Sequence, residues 1–140
     1  MRRLSGASRS SVSGSVPSGA YSPGIIAQGR FVFVSGQGPL RGGVPVLGTL
    51  EMEMELAVEN VRLVLQEAGA HLSDVVQCRV FLADIGDFDE MNRVYERNFA
   101  HPRPARTTVG ASLGMGIKVE VDAIAVLRQI RWQRRWKKEE

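Results

Sequence analysis

The sequence has few of the residues that build disulfides and metal sites, and no long apolar run. Its 140 residues include one cysteine, Cys78, and two histidines, His71 and His101. A single cysteine excludes an internal disulfide, and these three residues give no zinc-ligand spacing. No apolar run approaches the roughly 20 residues of a membrane-spanning helix. We therefore expect a soluble protein of a reducing compartment, with no membrane span and no structural metal.

Acidic residues are absent from residues 1–13, and in residues 128–140 two acids face six basic residues. The first of these segments carries a net charge of +3 and the second +4, whereas residues 14–127 carry −4. The basic character therefore comes from the ends and says little about the function of the body. Residues 1–16, rich in serine and arginine, are expected to be flexible or an edge strand of a cytoplasmic protein. The alternative for such an acid-free start is a mitochondrial targeting segment.

Hydrophobic periodicity predicts one α+β domain over residues 17–127, followed by a basic tail at 128–140. Thr49 is a plausible N-cap and Gly69 a plausible stop for a helix over 50–68. Asp87 with Glu90 resembles a capping box that opens a second helix, ending near Phe99. Strands are predicted over 31–35, 75–82, 106–109 and 118–127, with a short hairpin around 42–45. This order indicates two helices packed on one face of a mixed sheet.

Arg106 and Glu120 are the residues whose chemistry points to a site. The arginine fork matches a carboxylate, and a glutamate on a neighbouring strand can hold or deprotonate a water. We expect the two to face each other across a pocket for a small acid. One alternative is that Arg106 is a surface residue paired with an acid, and another is that Glu120 forms a salt bridge with Lys118. They stay open because alternation does not show which face of the last strand is buried.

Read in order, the chain resembles the RidA/YjgF family of small enamine and imine deaminases over about residues 17–127. The segments that carry the resemblance are Gly19 to Pro23, Phe33 to Gln37, Ala57 to Asn60, Leu65 to Gly69, Asp74 to Val76, Ala83 to Phe88, Asn92 to Tyr95, Pro104 to Arg106 and Val119 to Ala125. Each is weak alone, and together they stand in the family's order and near its spacing.

The resemblance implies a chorismate-mutase-like sheet that assembles as a homotrimer with ligand clefts between subunits. It implies that Arg106 clamps the substrate carboxylate and that Glu120 positions water or relays protons. The other cleft residues that it implies are Tyr21, Ser35, Gly36, Asn92 and Thr108. The implied reaction hydrolyses 2-aminoacrylate-type imines to 2-keto acids and ammonia. It needs no cofactor, because a protonated imine is already a strong electrophile.

Several positions depart from the family pattern. Thr108 stands where cysteine is common, Glu53 where glutamine is common, and Leu113-Gly114 replaces Leu-Pro. The segment from Arg106 to Glu120 is one residue shorter than in typical deaminases. This shortening keeps open a second hypothesis, a non-catalytic 2-keto acid binding protein of the same fold.

The tail gives a third hypothesis. Trp132 and Trp136 alternate with basic residues, a composition that can stack on bases and neutralise phosphates. We therefore keep an RNA-binding or RNA-cleaving role of the tail as the less favoured hypothesis. The favoured interpretation of the tail is a solvated extension.

Overall fold

A computed structural model describes residues 2, 3 and 6–130, which form ten strands and two helices. The helices are α1 (Leu50–Ala68) and α2 (Phe88–Asn98). The strands are β1 (Arg2–Arg3), β2 (Ser8–Val12), β3 (Gly24–Gln28), β4 (Arg30–Gln37), β5 (Leu40–Arg41), β6 (Val44–Pro45), β7 (Val75–Leu82), β8 (Ala105–Gly110), β9 (Val119–Leu127) and β10 (Gln129–Ile130). The tail tryptophans Trp132 and Trp136 lie outside the described residues.

Helix α1 begins and ends where local chemistry predicts. The Thr49 side chain accepts a hydrogen bond from the backbone N–H of Met52 at 3.2 Å, which satisfies one of the unpaired donors of the first turn. Gly69 has a φ of 84° and donates to the carbonyl of Gln66 at 3.0 Å. Only glycine adopts this left-handed conformation without strain, so the helix stops there.

The main sheet has the strand order β4-β9-β7-β8. Strand β9 pairs antiparallel with β4 and with β7, whereas β7 and β8 are parallel and are connected through α2. The sheet is thus mixed, and β4 and β8 form its two edges. The predicted α+β fold, a mixed sheet with two helices on one face, is confirmed.

The two helices cover one face of this sheet and leave the other open. The odd-numbered residues of β9 from Val119 to Ala125 are buried against the helices, as are Cys78, Val80 and Leu82 of β7. The even-numbered residues Glu120, Asp122 and Ile124 lie on the opposite face, called the open face below, and are partly exposed. The helices thereby decide which face of β9 is buried, a choice that alternation leaves undetermined.

Apolar side chains remain on the open face. Phe33 is 74% exposed and pairs with Ile124 across β4 and β9. A shallow groove beside it is lined by Ile25, Ala27, Val76 and Ala105 among others. Large exposed apolar patches on small domains are typical of interaction surfaces and ligand-binding grooves.

Two local expectations need correction. Asp87 makes no side-chain cap at the start of α2, so the predicted capping box is wrong. Asp84 caps the preceding short turn instead, accepting from the N–H of Gly86 at 2.8 Å. Residues Ser8–Val12 form a strand that pairs antiparallel with Gly24–Gln28, a strand that was not predicted. That segment carries a strand only because β2 folds back on it, a contact that local pattern does not show.

Candidate functional site

Arg106 lies near the start of β8 and points to the helix-covered face. Its register partner is the buried Cys78 of β7, and paired residues project to the same side of a sheet. Its Nη1 donates to Oδ1 of Asn92, on α2, at 2.9 Å. The predicted neighbours Asn92 and Arg106 therefore meet, because β8 returns beside the helix that precedes it.

Aromatic rings surround the guanidinium of Arg106. Its central carbon lies 4.7 Å from the ring centroid of Tyr95, 5.2 Å from that of Tyr21 and 5.5 Å from that of Phe88. Cation–π contacts of this kind favour the charged form and hold the side chain in place. Tyr21 was predicted to line the site, whereas Phe88 and Tyr95 were missed. Their only sequence signal was an apolar face of α2, which is equally typical of a core.

The charge of Arg106 is not neutralised within the described part of the chain, where no carboxylate forms an ion pair with it. Burial lowers the pKa of Arg106, while the nearby Tyr95 and Tyr21 raise it. Its Nη2 is buried and has no hydrogen-bond partner among these residues. An unpaired buried donor is costly, so this atom is suited to donate to the oxygen of an incoming carboxylate.

Gly19 permits the chain to pass directly over this guanidinium. A Cβ at position 19 would lie 2.8 Å from Nη2 of Arg106 and 3.0 Å from Oδ1 of Asn92, so a side chain there would force the guanidinium to shift. The neighbouring N–H of Ala20 also donates to Oδ1 of Asn92, at 3.1 Å. Sequence reasoning missed Gly19 as a site residue. Its only signal was a glycine two positions before Tyr21.

Tyr21 is fixed by the same turn. Its hydroxyl lies 3.0 Å from both the N–H and the Oγ of Ser18. Hydrogen bonds from Ser18, with the charge of Arg106, lower the pKa of Tyr21. The phenol thus lies at the edge of the site with its position set by Ser18.

Thr108 lies two residues after Arg106 on the same face. Its Oγ1 is buried and lacks a hydrogen-bond partner within the described residues, and the buried hydroxyl of Tyr95 lies beside the thiol of Cys78. Burial raises the pKa of Tyr95 well above its ordinary value, so the phenol stays neutral. Arg106, Thr108, Asn92 and Tyr21 together form what we call the arginine half-site.

Glu120 lies in a different place, on the open face. It pairs with Phe81 of β7, which is three residues after Cys78, the register partner of Arg106. Because side chains alternate along a strand, Phe81 and Glu120 project from the face opposite to Cys78 and Arg106. Its carboxylate lies against Gly36, where a Cβ would be 2.8 Å from Cδ of Glu120 and 2.9 Å from Oε2. The register between β4 and β9 shifts between Val34 and Gln37, which leaves Gly36 exposed beside Glu120.

Ser35 precedes Gly36 in this bulge and is also exposed. Ser35, Gly36 and Glu120 form what we call the glutamate half-site. A single chain does not bring the two half-sites together, because one lies on the helix side near edge strand β8 and the other on the open face near edge strand β4. The expected pocket between Arg106 and Glu120 is therefore not a feature of one chain.

Cys78, His71 and His101 are the other residues of types that often carry chemistry. Burial raises the pKa of the Cys78 thiol to about 12, which suits a small core residue and not a nucleophile. His101 contacts Nη1 of Arg103 at 2.6 Å. Across residues 6–130, no cluster of three or more His, Cys, Asp or Glu side chains is arranged to hold a metal ion. In the same part of the chain, neither helix has the length and apolarity to cross a membrane.

Comparison with known proteins gives consistent matches. A family model described as Endoribonuclease L-PSP matches residues 13–127. The mitochondrial protein MMF1 of Saccharomyces cerevisiae is 39% identical over 109 residues, covering 76% of this chain and 74% of that protein. A 2-iminobutanoate/2-iminopropanoate deaminase of Dermatophagoides farinae is 36% identical over 114 residues, covering 79% and 88%. The crystal structure of the YjgF gene product from E. coli superposes with a TM-score of 0.66 at 32% identity, covering 77% of this chain and 88% of that one.

Proposed function

Because this chain belongs to the RidA/YjgF family, we propose that it is a deaminase that hydrolyses short 2-imino acids to 2-keto acids and ammonia. The observation that carries this proposal is the buried Nη2 of Arg106, an unpaired cationic donor in an aromatic cage. The similarity to a protein named as a 2-iminobutanoate/2-iminopropanoate deaminase supports the same reaction.

In this proposal Arg106 binds the substrate carboxylate. The guanidinium is held by Asn92 through Nη1, so its orientation is set before substrate arrives. A carboxylate reaching Nη2 would satisfy the unpaired donor and neutralise a charge that burial disfavours. Tyr21 and Thr108 would border the rest of the ligand. Preorganisation of this kind lowers the entropic cost of binding.

The reacting carbon would then meet Glu120. In the proposed reaction Glu120 accepts a proton from a water as its oxygen attacks the protonated C=N carbon, giving a carbinolamine. Glu120 then passes this proton to the nitrogen. The C–N bond breaks with its electron pair leaving on ammonia, while the carbinolamine hydroxyl gives its proton back to Glu120 and the C=O bond of the 2-keto acid forms; ammonia or solvent finally takes that proton. Every group in this sequence is supplied by substrate, water or Glu120, so no cofactor is required.

We propose that the complete site is formed between copies of the chain. The arginine half-site of one copy would face the glutamate half-site of the next, because no single copy contains both on one side. Contact between two different surfaces of identical chains is heterologous and produces a closed ring when the rotation closes. A homotrimer is the ring that the family resemblance implies. The exposed Phe33 and the apolar groove beside it would become buried in that assembly.

A non-catalytic 2-keto acid binding protein is the alternative. The short segment before Glu120 includes Met115 with a φ of 61°, a left-handed conformation that is rare for residues other than glycine. A displaced Glu120 would leave carboxylate binding at Arg106 without turnover. An RNA-binding or RNA-cleaving role through the tail is the less favoured alternative, and the described residues include nothing of that tail beyond Ile130.

The location of the protein stays a prediction. We propose a cytoplasmic protein, with mitochondria as the alternative. The similarity to a protein named as mitochondrial, MMF1, supports the alternative.

The test is an imine assay in which an amino-acid oxidase generates the substrate in situ and keto-acid formation is followed. The proposal expects the protein to accelerate keto-acid formation from at least one small apolar donor. Calorimetry with pyruvate separates the alternatives: binding that requires Arg106, without acceleration for any donor, would favour the binding protein.

A further inference from the structure

Helix α1 directs two polar side chains at the loops beside the glutamate half-site. Glu53 and Asn60 are seven residues apart, two helical turns, and therefore lie on the same side of the helix. Neither takes part in the arginine half-site or in the proposed chemistry. Polar side chains on the packed side of a helix need hydrogen-bond partners. The partners of Glu53 and Asn60 lie in the chain segments next to Glu120 and Gly36.

Glu53 is completely buried and fully hydrogen-bonded. Its Oε1 accepts from the backbone N–H of Lys118 at 2.8 Å, and its Oε2 accepts from Nζ of Lys118 at 2.8 Å and from the N–H of Gly48 at 3.2 Å. Burial alone would raise the pKa of Glu53, but the hydrogen bonds from Lys118 and Gly48 outweigh it and lower the pKa. The carboxylate is thus a fixed, charged anchor for Lys118.

Asn60 holds the opposite side of the same half-site. Its Nδ2 donates to the carbonyls of Gly38 and Leu40, both at 2.9 Å. Gly38 follows Gly36 by two residues, just as Lys118 precedes Glu120 by two. A Cβ on Gly38 would lie 3.0 Å from Cδ1 of Ile117, so the two anchored segments touch each other.

The hydrogen bonds of Glu53 and Asn60 lie beside the point where the pairing between β4 and β9 ends, next to Glu120. The register between β4 and β9 ends with the pair Gln37 and Val121, while Glu120 keeps only its partner Phe81 in β7. Contacts from α1 hold the segments just beyond this last pair, at Lys118 and at Gly38.

We propose that Glu53 is a positioning residue for Glu120, acting through Lys118, with Asn60 holding the facing Gly36 segment. The inference rests on the proposed function, in which Glu120 manages the water. A catalytic group displaced by about 1 Å loses up to about 100-fold in rate. Carboxylate binding by Arg106, on the other face of the sheet, does not depend on this anchor.

The test compares Glu53→Met with Glu59→Met. Glu59 is on the same helix but half-exposed, and it pairs with Arg62 at 2.5 Å. Glutamine is not used at position 53, because it is common there in the family and its carbonyl oxygen can still accept from Lys118. Methionine has a similar length but no oxygen that can accept from Lys118 or Gly48, so the anchor is broken. We expect kcat to fall about 10- to 100-fold while KM and the pyruvate Kd stay within about twofold. Glu59→Met should leave all three unchanged.

A folded Glu53→Met with wild-type kcat would overturn the proposal. So would a Kd for pyruvate that weakens in step with kcat, since that would mean general disruption. If Glu53→Met does not fold, Lys118→Met is measured instead. It removes the Nζ contact but keeps the backbone N–H that reaches Oε1, so kcat should fall by less, at most about 10-fold, and an unchanged kcat would overturn the proposal.

A spectroscopic arm separates this inference from the proposed activity. In protein labelled with ¹³C at glutamate carboxyls, the resonance of Glu120 is assigned by its loss in Glu120→Gln. It should move in Glu53→Met and stay in place in Glu59→Met, whether or not the protein turns over an imine. An unmoved resonance overturns the positioning role. If the wild-type protein shows no turnover but the Glu120 resonance moves in the position-53 variant, only the proposed deaminase activity is overturned.

Discussion

Arg106 and Glu120 project from opposite faces of one sheet, Arg106 beside buried Cys78 and Glu120 beside Phe81. Two residues so placed cannot act on one small molecule within a chain. The function proposed for them therefore requires a second copy, and the oligomer becomes part of the chemistry.

Replacing Arg106 should remove carboxylate binding. Arg106→Lys keeps the charge but not the planar fork, so we expect kcat/KM to fall by about 100-fold, and Arg106→Ala should lose more. The imine assay measures both. Arg97→Ala is the matched control, because Arg97 forms exposed ion pairs with Glu51 and Glu55 and lies outside the site. Equal activity of Arg106→Ala and wild type would contradict the carboxylate clamp.

A mixing experiment tests the shared site. Arg106→Ala and Glu120→Gln should each be inactive as pure assemblies. Unfolded together in equal amounts and refolded, they should regain about one quarter of wild-type activity, because a random ring pairs an intact Arg106 with an intact Glu120 at that frequency. Each variant refolded alone is the control. A mixture as inactive as its components would place both residues in the same chain's site.

Gly19→Ala should disturb the arginine half-site. The new Cβ would meet Nη2 of Arg106 at 2.8 Å, and overpacking of this kind costs about 1–3 kcal/mol. We expect weaker pyruvate binding by calorimetry and a raised KM. The control is Gly14→Ala, whose Cβ would meet Pro23 at an ordinary 3.6 Å. If both alanine variants bind pyruvate like wild type, the turn over Arg106 is not part of the site.

A charge on the open face should dissociate the assembly. Phe33→Lys would bury an unpaired charge in the proposed interface, a change that interfaces of this kind do not tolerate. Sedimentation equilibrium should show monomers, and the imine assay should show loss of activity. Leu63→Lys is the control on α1, where Leu63 is 46% exposed. A Phe33→Lys variant that stays assembled would contradict the placement of the interface.

The stability of the fold should fall in acid because of Glu53. Its pKa is lowered from 4.5, so its stabilising contribution is present above about pH 4.5 and is lost as the pH falls through the lower folded-state pKa. Urea unfolding at fixed protein concentration should show a smaller loss of stability between pH 7 and pH 3 for Glu53→Gln than for wild type. Identical pH profiles for the two proteins would contradict the depressed pKa.

Local chemistry in the sequence determined the helices and the identity of the reactive groups. Thr49 and Gly69 bound α1 because a hydroxyl cap and a left-handed glycine act within a few residues of the helix end. The alternation from Val119 to Ala125 specified a strand. Arg106 specified a group that binds a carboxylate, and Glu120 specified a group that accepts or donates a proton. The predicted fold followed from these elements and their order.

Only the tertiary structure decided which face each residue occupies. The alternation of β9 is the same whichever side is buried, and α1 and α2 broke that symmetry by covering the odd-numbered residues. Strand order placed Arg106 at the β8 edge and Glu120 beside β4, and strand order depends on pairings between distant segments. The same long-range packing brought Gly19, Phe88 and Tyr95 to Arg106 and Glu53 to Lys118. No local pattern encodes such contacts, because they exist only after the chain has folded.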